Sequence, residues 1–160
     1  MTNESDTENN LPLAGKTIVV TRALSQARNL ANGLEALGAT IIEFPTIEVK
    51  LLKASISFYV DSFDWIVFTS ANGVRGLRNA MEEYAQSFCL INPRVCAVGP
   101  ATKRTLEREG VEVDLVPETY SVEGVYDALK AEVGDLGGQR ILLPQGNIAR
   151  NMLSEALLVD

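Results

Sequence analysis

A chain of 160 residues, 46% hydrophobic and 6% aromatic, can bury a sizeable core that must be mainly aliphatic. Its formal net charge of −7 argues against non-specific nucleic-acid binding, which rests on basic patches, and its zero histidines remove Ser-His-Asp and Cys-His catalysis in their usual forms. Two separated cysteines leave no zinc site of standard spacing, and no apolar run approaches the roughly 18–20 residues of a membrane span.

The polar start MTNESDTENN lacks the basic residues and apolar stretch of a signal peptide, so a cytoplasmic location is expected. Residues 1–12 have no apolar face to bury and are expected to be disordered. Lys16–Thr21 is apolar and β-branched and predicts a strand. Ser25–Leu37 predicts a helix with Leu30, Leu34 and Leu37 on one face, ended by Gly38. Thr40–Phe44 predicts the next strand. Pro45 interrupts, and alternation over Ile47–Leu52 predicts another strand, with a short helix over Ser55–Ser62.

Asp64–Thr69 is nearly all apolar, as expected of a strand covered on both faces. Asn72–Ala85 predicts a helix on the recurrence of Val74, Leu77 and Met81, and Arg94–Val98 a strand. Pro100–Glu109 predicts a helix with Pro in its first turn and Gly110 as its stop. Val113–Val116 predicts a short strand, and Ser121 a cap for a helix to about Val133. Arg140–Leu143 predicts a strand. Asn147–Leu158 predicts a last helix with a stripe of Ile148, Met152, Leu153, Ala156 and Leu157. That helix runs into Leu158-Val159-Asp160 without a Gly or Asn stop, and the chain is expected to be an N-terminal piece of something longer. Cys89 and Cys96, each in or beside an apolar run, are expected to be reduced, buried thiols.

Alternating strands and helices predict an α/β fold with a parallel sheet. Four junctions then stand where a strand passes into a helix: Thr21-Arg22-Ala23, Thr69-Ser70-Ala71-Asn72, Val98-Gly99-Pro100-Ala101-Thr102 and Pro144-Gln145-Gly146-Asn147. In an open parallel sheet such junctions lie at the carboxyl edge, where ligands bind. Helix N-termini there favour anions, so the expected ligand is a polyanionic small molecule. Neither G-x-G-x-x-G nor G-x-x-x-x-G-K-[ST] is present, and the first and third strands do not end in the acids a receiver domain needs.

What remains for binding is hydroxyls, amides, backbone N–H groups and a few arginines. Ser70 and Asn72 either donate to a ligand carboxylate or cap the helix they introduce. Thr102 either points into the site or stabilises its own helical turn. Gly99 and Gly146 either admit a ligand close to the backbone or make tight turns. Arg22, just past the first strand, is the leading charge, set against an ordinary solvated surface Arg. Arg150, one turn into the last helix, opposes the helix dipole and so hints at function.

The series is more specific than its parts. Leu13-Ala14-Gly15-Lys16-Thr17-Ile18-Val19-Val20-Thr21-Arg22-Ala23, with Gln26-Ala27, Leu37-Gly38-Ala39 and Phe44-Pro45-Thr46-Ile47, resembles the opening of uroporphyrinogen-III synthases. So do the segments 63–74, 97–102, 117–124 and 143–150. The resemblance implies two flavodoxin-like α/β domains joined by a two-stranded connection, with the active site in the cleft between them. Residues 13–45 would begin the first domain, incomplete here, and residues 46–160 would form the second, lacking its last strand. A Tyr and a second Gly-x-x-Thr junction of the family pattern do not occur within the 160 residues.

The implied reaction closes hydroxymethylbilane to uroporphyrinogen III with inversion of the last pyrrole ring, in tetrapyrrole biosynthesis. No metal or cofactor is implied; positioning and preorganised dipoles carry the step. The substrate-binding residues implied are Arg22, Ser70, Ala71, Asn72, Gly99, Ser121, Gly146, Asn147 and Arg150. Thr102 is the catalytic candidate, assisting hydroxide departure or serving in binding alone. The full-length protein is expected to be a monomer without nucleic-acid or membrane partners, and the 160 residues alone to be inactive. The alternative is a non-catalytic flavodoxin-like anion-binding or sensor module.

Overall fold

The computed structural model describes residues 11–51, 59–84, 86–146 and 152–158. The chain divides into two compact units, Met1–Lys50 and Leu51–Asp160. The expected crossing at Pro45 lies within the first of them.

In the first unit, β1 (Thr17–Val20) and β2 (Thr40–Glu43) pair in parallel, with Thr17 opposite Thr40 and Val20 opposite Glu43. They are joined through α1 (Leu24–Glu35). The helix stops at Gly38, whose φ of 93° suits glycine, while Ala39 N–H reaches back to Leu34 O at 3.1 Å. The buried face of α1 is made of small residues, and the leucine row lies outside it. Ala27 and Ala31 are buried with Ala23 before them, while Leu30 and Leu37 are exposed to one side. Small residues every fourth position let the helix lie close on the two strands, and the leucines turn aside.

Two further expectations change here. Leu11 and Pro12 are not tail: Ala14 N–H donates to Leu11 O at 3.0 Å, and Leu11 Cβ sits 2.9 Å from where a Cβ on Gly38 would stand. The rest of the expected tail lies outside the described residues. No strand forms over residues 47–51. The ladder bonds of β2 end with Phe44 N–H to Val20 O and Thr46 N–H to Thr21 O, and alternation without a partner strand makes no ladder.

The second unit is a three-layer sandwich. Its strands β3 (Trp65–Phe68), β4 (Arg94–Ala97) and β5 (Ile141–Leu142) lie in the order β4-β3-β5, all parallel. All four residues of β3 are buried. Period-2 alternation sends Ile66 and Phe68 to one face, against Val74, Leu77, Met81, Val95 and Leu106. It sends Trp65 and Val67 to the other, against Cys96, Val125, Leu129, Leu136 and Leu153. Helices α2 (Ala71–Glu83) and α3 (Pro100–Arg108) supply the first layer. Helices α4 (Val122–Val133) and α5 (Met152–Leu157) supply the second. Arg78 donates through Nη1 to both Glu109 oxygens, at 3.0 and 2.9 Å, tying α2 to the end of α3.

Several elements are shorter than the sequence suggested. The expected strand at Val113–Val116 is a single bridge between Leu115 and Cys96. The Asp114 carboxylate accepts the Val95 N–H at 2.7 Å, taking a donor that a longer ladder would use. β5 stops at Leu142, two residues before Pro144, which has no N–H to give. Val60–Ser62 is one 3₁₀ turn, and the earlier part of the expected helix lies outside the described residues, as do Asn147 to Asn151. On α5, Leu153 is buried but Met152 is exposed. Cys89 is also exposed, against expectation. It follows Phe88, which takes the buried place in the 3₁₀ turn Phe88–Leu90.

Candidate functional site

The strand order decides which junctions meet. Because β3 is central, the junction after it stands between those after β4 and β5, so Gly99, Ser70 and Gly146 follow one another along one sheet edge. Contact is direct on the β5 side: Pro144 O lies 2.4 Å from where a Cβ on Gly73 would stand. Gly73, in the first turn of α2, is what lets the segment leading to Gly146 lie against that helix.

Ser70 and Ser121 are caps. Ser70 Oγ accepts the Gly73 N–H at 3.3 Å, and Ser121 Oγ accepts the Gly124 N–H at 3.1 Å. Glu123 adds its carboxylate to the same helix start: a bond from its own backbone N–H, then one from the Ser121 hydroxyl, hold its pKa below the usual range. The N-terminus of α4 therefore already holds an anion. Ala71 and Asn72 are half-buried in the first turn of α2, and Asn72 Oδ1 accepts from Arg75 Nη1 at 3.3 Å.

The N-terminus of α3 differs. Its cap residue is Gly99, at φ 102°, with no side chain to offer. Pro100 follows at the first position, and the first backbone bond into the helix is Lys103 N–H to Gly99 O at 3.1 Å. The N–H groups of Ala101 and Thr102 have no acceptor among the described residues. Thr102 is 4% exposed, the one buried polar residue among those described. Its hydroxyl makes no hydrogen bond among them. Two unused donors, the aligned helix dipole and the hydroxyl of a buried residue thus coincide in one turn. The chemistry that suits them is binding of a carboxylate or stabilisation of a departing oxyanion. The Tyr120 ring rests on the Gly99 backbone beside them.

In the first unit, the carboxyl edge of β1 and β2 borders an open cleft of about 940 Å³. Ala23 at the start of α1, Ser25, Arg28, Glu43 and Thr46 line it. Arg22, the charge expected there, is not among the lining residues; its Nη2 turns along the helix and donates to Gln26 Oε1 at 3.3 Å. Arg28 lines the cleft and makes no ion pair among the described residues. Its signal in the sequence was Ser25-x-x-Arg28, a spacing that puts both on one helical face. Leu24 and Ser25 N–H groups have no acceptor among the described residues, since Ala23 is a cap without a polar side chain. Asn147 and Arg150 lie outside the described residues. No group of three His, Cys, Asp or Glu suited to a metal is found among the described residues. No helix among them is long and apolar enough to cross a membrane.

A family model described as uroporphyrinogen-III synthase HemD matches residues 28–158. The chain belongs to the uroporphyrinogen-III synthase family. It is 31% identical to uroporphyrinogen-III synthase of Synechococcus elongatus over 91% of its own length and 56% of that protein. It is 29% identical to the enzyme of the same name from Chlorobaculum parvum, covering 89% of this chain and 58% of that one. The chain thus spans a little over half the length of these curated relatives. Among solved structures it is similar to uroporphyrinogen III synthase of Thermus thermophilus, with a TM-score of 0.51 over 91% of this chain and 57% of that one. At 18% identity, that likeness speaks for the α/β fold alone.

Proposed function

We propose that this chain takes part in uroporphyrinogen-III synthesis, by holding hydroxymethylbilane through its carboxylates while the tetrapyrrole ring closes with inversion of the last pyrrole. The observation that carries the reading is the row of junctions along the β4-β3-β5 edge, in a chain of this family, with an uncapped α3 N-terminus and buried Thr102 at one end. The Ala101 and Thr102 N–H groups take a substrate carboxylate. The Thr102 hydroxyl hydrogen-bonds to the hydroxide leaving the bilane. Ser70 and Ser121 act through the helices they cap and touch no substrate. In the first unit, taken by itself, Arg28 and the Leu24 and Ser25 N–H groups suit a carboxylate. Asn72 and Gly146 flank the bound chain of pyrroles. Glu43 also lines the first cleft and repels a carboxylate placed near it.

Such a site works by positioning, with each contact carrying part of the selection against closure at the unsubstituted carbon. The reading includes a cytoplasmic location and a monomeric full-length protein. The test incubates hydroxymethylbilane with the chain, oxidises the products and separates the porphyrin isomers, alongside binding of uroporphyrin III. Binding is expected, and Thr102→Val is expected to weaken it. Type III isomer above the no-protein control would make the chain sufficient for closure. Binding without closure confines it to holding the substrate. Absence of both overturns the reading and leaves a non-catalytic anion-binding module.

A further inference from the structure

We propose that Tyr120 is a stacking residue of the second unit's edge, its phenol ring receiving the flat face of a pyrrole ring whose carboxylate arm reaches the α3 N-terminus. The inference rests on the tetrapyrrole reading above and names a contact that reading does not contain.

Tyr120 is a large aromatic left 60% exposed. Singly exposed apolar residues are common, so exposure alone marks nothing. What marks Tyr120 is how it is held. Its Cγ, Cδ1 and Cδ2 lie 3.8, 3.9 and 3.8 Å from where a Cβ on Gly99 would stand. Nearly equal distances to three ring atoms mean that this direction meets the face of the ring rather than its edge. Gly99 has φ 102°, which side chains rarely adopt, so the surface beneath the ring is bare backbone.

The backbone around Tyr120 is pinned at a second glycine. Gly124 gives its N–H to Ser121 Oγ at 3.1 Å. On the other side of Tyr120, the Thr119 carbonyl oxygen lies 2.2 Å from where a Cβ on Gly124 would stand. Residues 119 and 121 are therefore both fixed against the first turn of α4. A tyrosine has few torsions to lose, so a ring held this way meets a ligand with little ordering cost.

The neighbours define the ligand class. Gly99 is also the cap of α3, whose Ala101 and Thr102 N–H groups are free and whose Thr102 side chain is buried without a partner among the described residues. A π face beside unused anion donors matches a planar heteroaromatic ring with carboxylate arms. An aliphatic polyacid would use the donors and leave the ring idle. A bare planar hydrocarbon would do the reverse.

The test uses the 160-residue chain and two probes: uroporphyrin III, a planar octacarboxylate, and 1,2,3,4-butanetetracarboxylate, which has no π face. Binding of the first is followed by porphyrin fluorescence anisotropy and the shift of its Soret band, and of the second by competition. Tyr120→Phe should bind uroporphyrin within about twofold of the parent and keep the Soret shift. Tyr120→Leu should bind it about fivefold to tenfold more weakly and lose most of that shift. Butanetetracarboxylate should bind all three proteins alike. If Tyr120→Leu binds uroporphyrin as the parent does, the stacking role is overturned and the tetrapyrrole reading stands. If Tyr120→Leu loses both ligands equally, the ring merely supports the local fold and the inference fails. Binding of neither probe to the parent overturns both.

Discussion

The two units build the same β-strand chemistry into different surroundings. β3 reads Trp-Ile-Val-Phe and is buried at every position. β1 reads Thr-Ile-Val-Val and is buried only at Val20. The difference is coverage: β3 has a strand on each side and a helical layer on each face, while β1 and β2 have α1 against one face. On their other face Val19 is 54% and Ile42 49% exposed. β-branched composition therefore says that a segment is extended, and says little about how many of its faces are covered.

The largest test of that contrast is truncation in each strand. Phe68→Ala should cost about 3–5 kcal/mol, as for a fully enclosed aromatic, and Val19→Ala no more than about 0.5 kcal/mol. Urea unfolding followed by the single tryptophan, buried Trp65, reads the second unit alone, and backbone circular dichroism reads both. Equal losses at the two sites would mean that the bare face of β1 is covered in solution.

High pH should separate the units next. Burial pushes the Cys96 thiol up from 9.0 to about 12. The folded state then holds its proton where the unfolded state has lost it. Stability from this group is complete below about pH 9 and is lost progressively as pH rises to about 12. The first unit has no cysteine and should not share that loss. Alkaline titration of the Trp65 signal, with Cys96→Ala flattening it, is the check. In the same protein at neutral pH, exposed Cys89 should react with a thiol reagent at once and Cys96 only on unfolding.

Glycines sharpen the contrast at a smaller scale. An added Cβ on Gly73 meets Pro144 O at 2.4 Å, so Gly73→Ala should cost about 1–3 kcal/mol and displace the segment leading to Gly146. Gly33, inside α1, has nothing within 4 Å of the same position. Gly33→Ala should stabilise the first unit by about 0.5–1 kcal/mol, through helix propensity alone. Thermal melts of the two variants should move in opposite directions.

The smallest effect is on the acid side. Glu123 has a lowered pKa at the start of α4, so its contribution is present above the ordinary carboxylate range and disappears as pH falls through its folded value. Glu123→Gln should remove that part of the acid sensitivity of the second unit and leave the first unchanged. An unaltered acid limb would show that the Ser121–Glu123 arrangement adds nothing to α4.

Much of this molecule follows from local rules. The β-α alternation, the glycine stops at Gly38 and Gly110, the Ser70 and Ser121 caps and the apolar run of β3 all depend on residues within a turn or two of each other. That is why they can be read along the chain, and why the ordered motifs resemble one family. Choices among similar neighbours could not be read this way. Ala27 and Ala31 form the buried stripe of α1 because closeness of approach, not hydrophobicity, decides which face lies inward. Asp114 shortens an expected strand by capturing one N–H of a segment nineteen residues away. Cys89 is exposed because adjacent Phe88 fills the space available. The candidate site divides in the same way. Its junctions and their anion-favouring helix starts were legible, since each is local. Their row at one edge came from strand order, and Tyr120 on Gly99 from the packing of two loops. Arg28 entered its cleft, and Arg22 did not, through side-chain direction. Those outcomes depend on pairing across long sequence distances and on the shape of the space left over, which only the tertiary structure supplies.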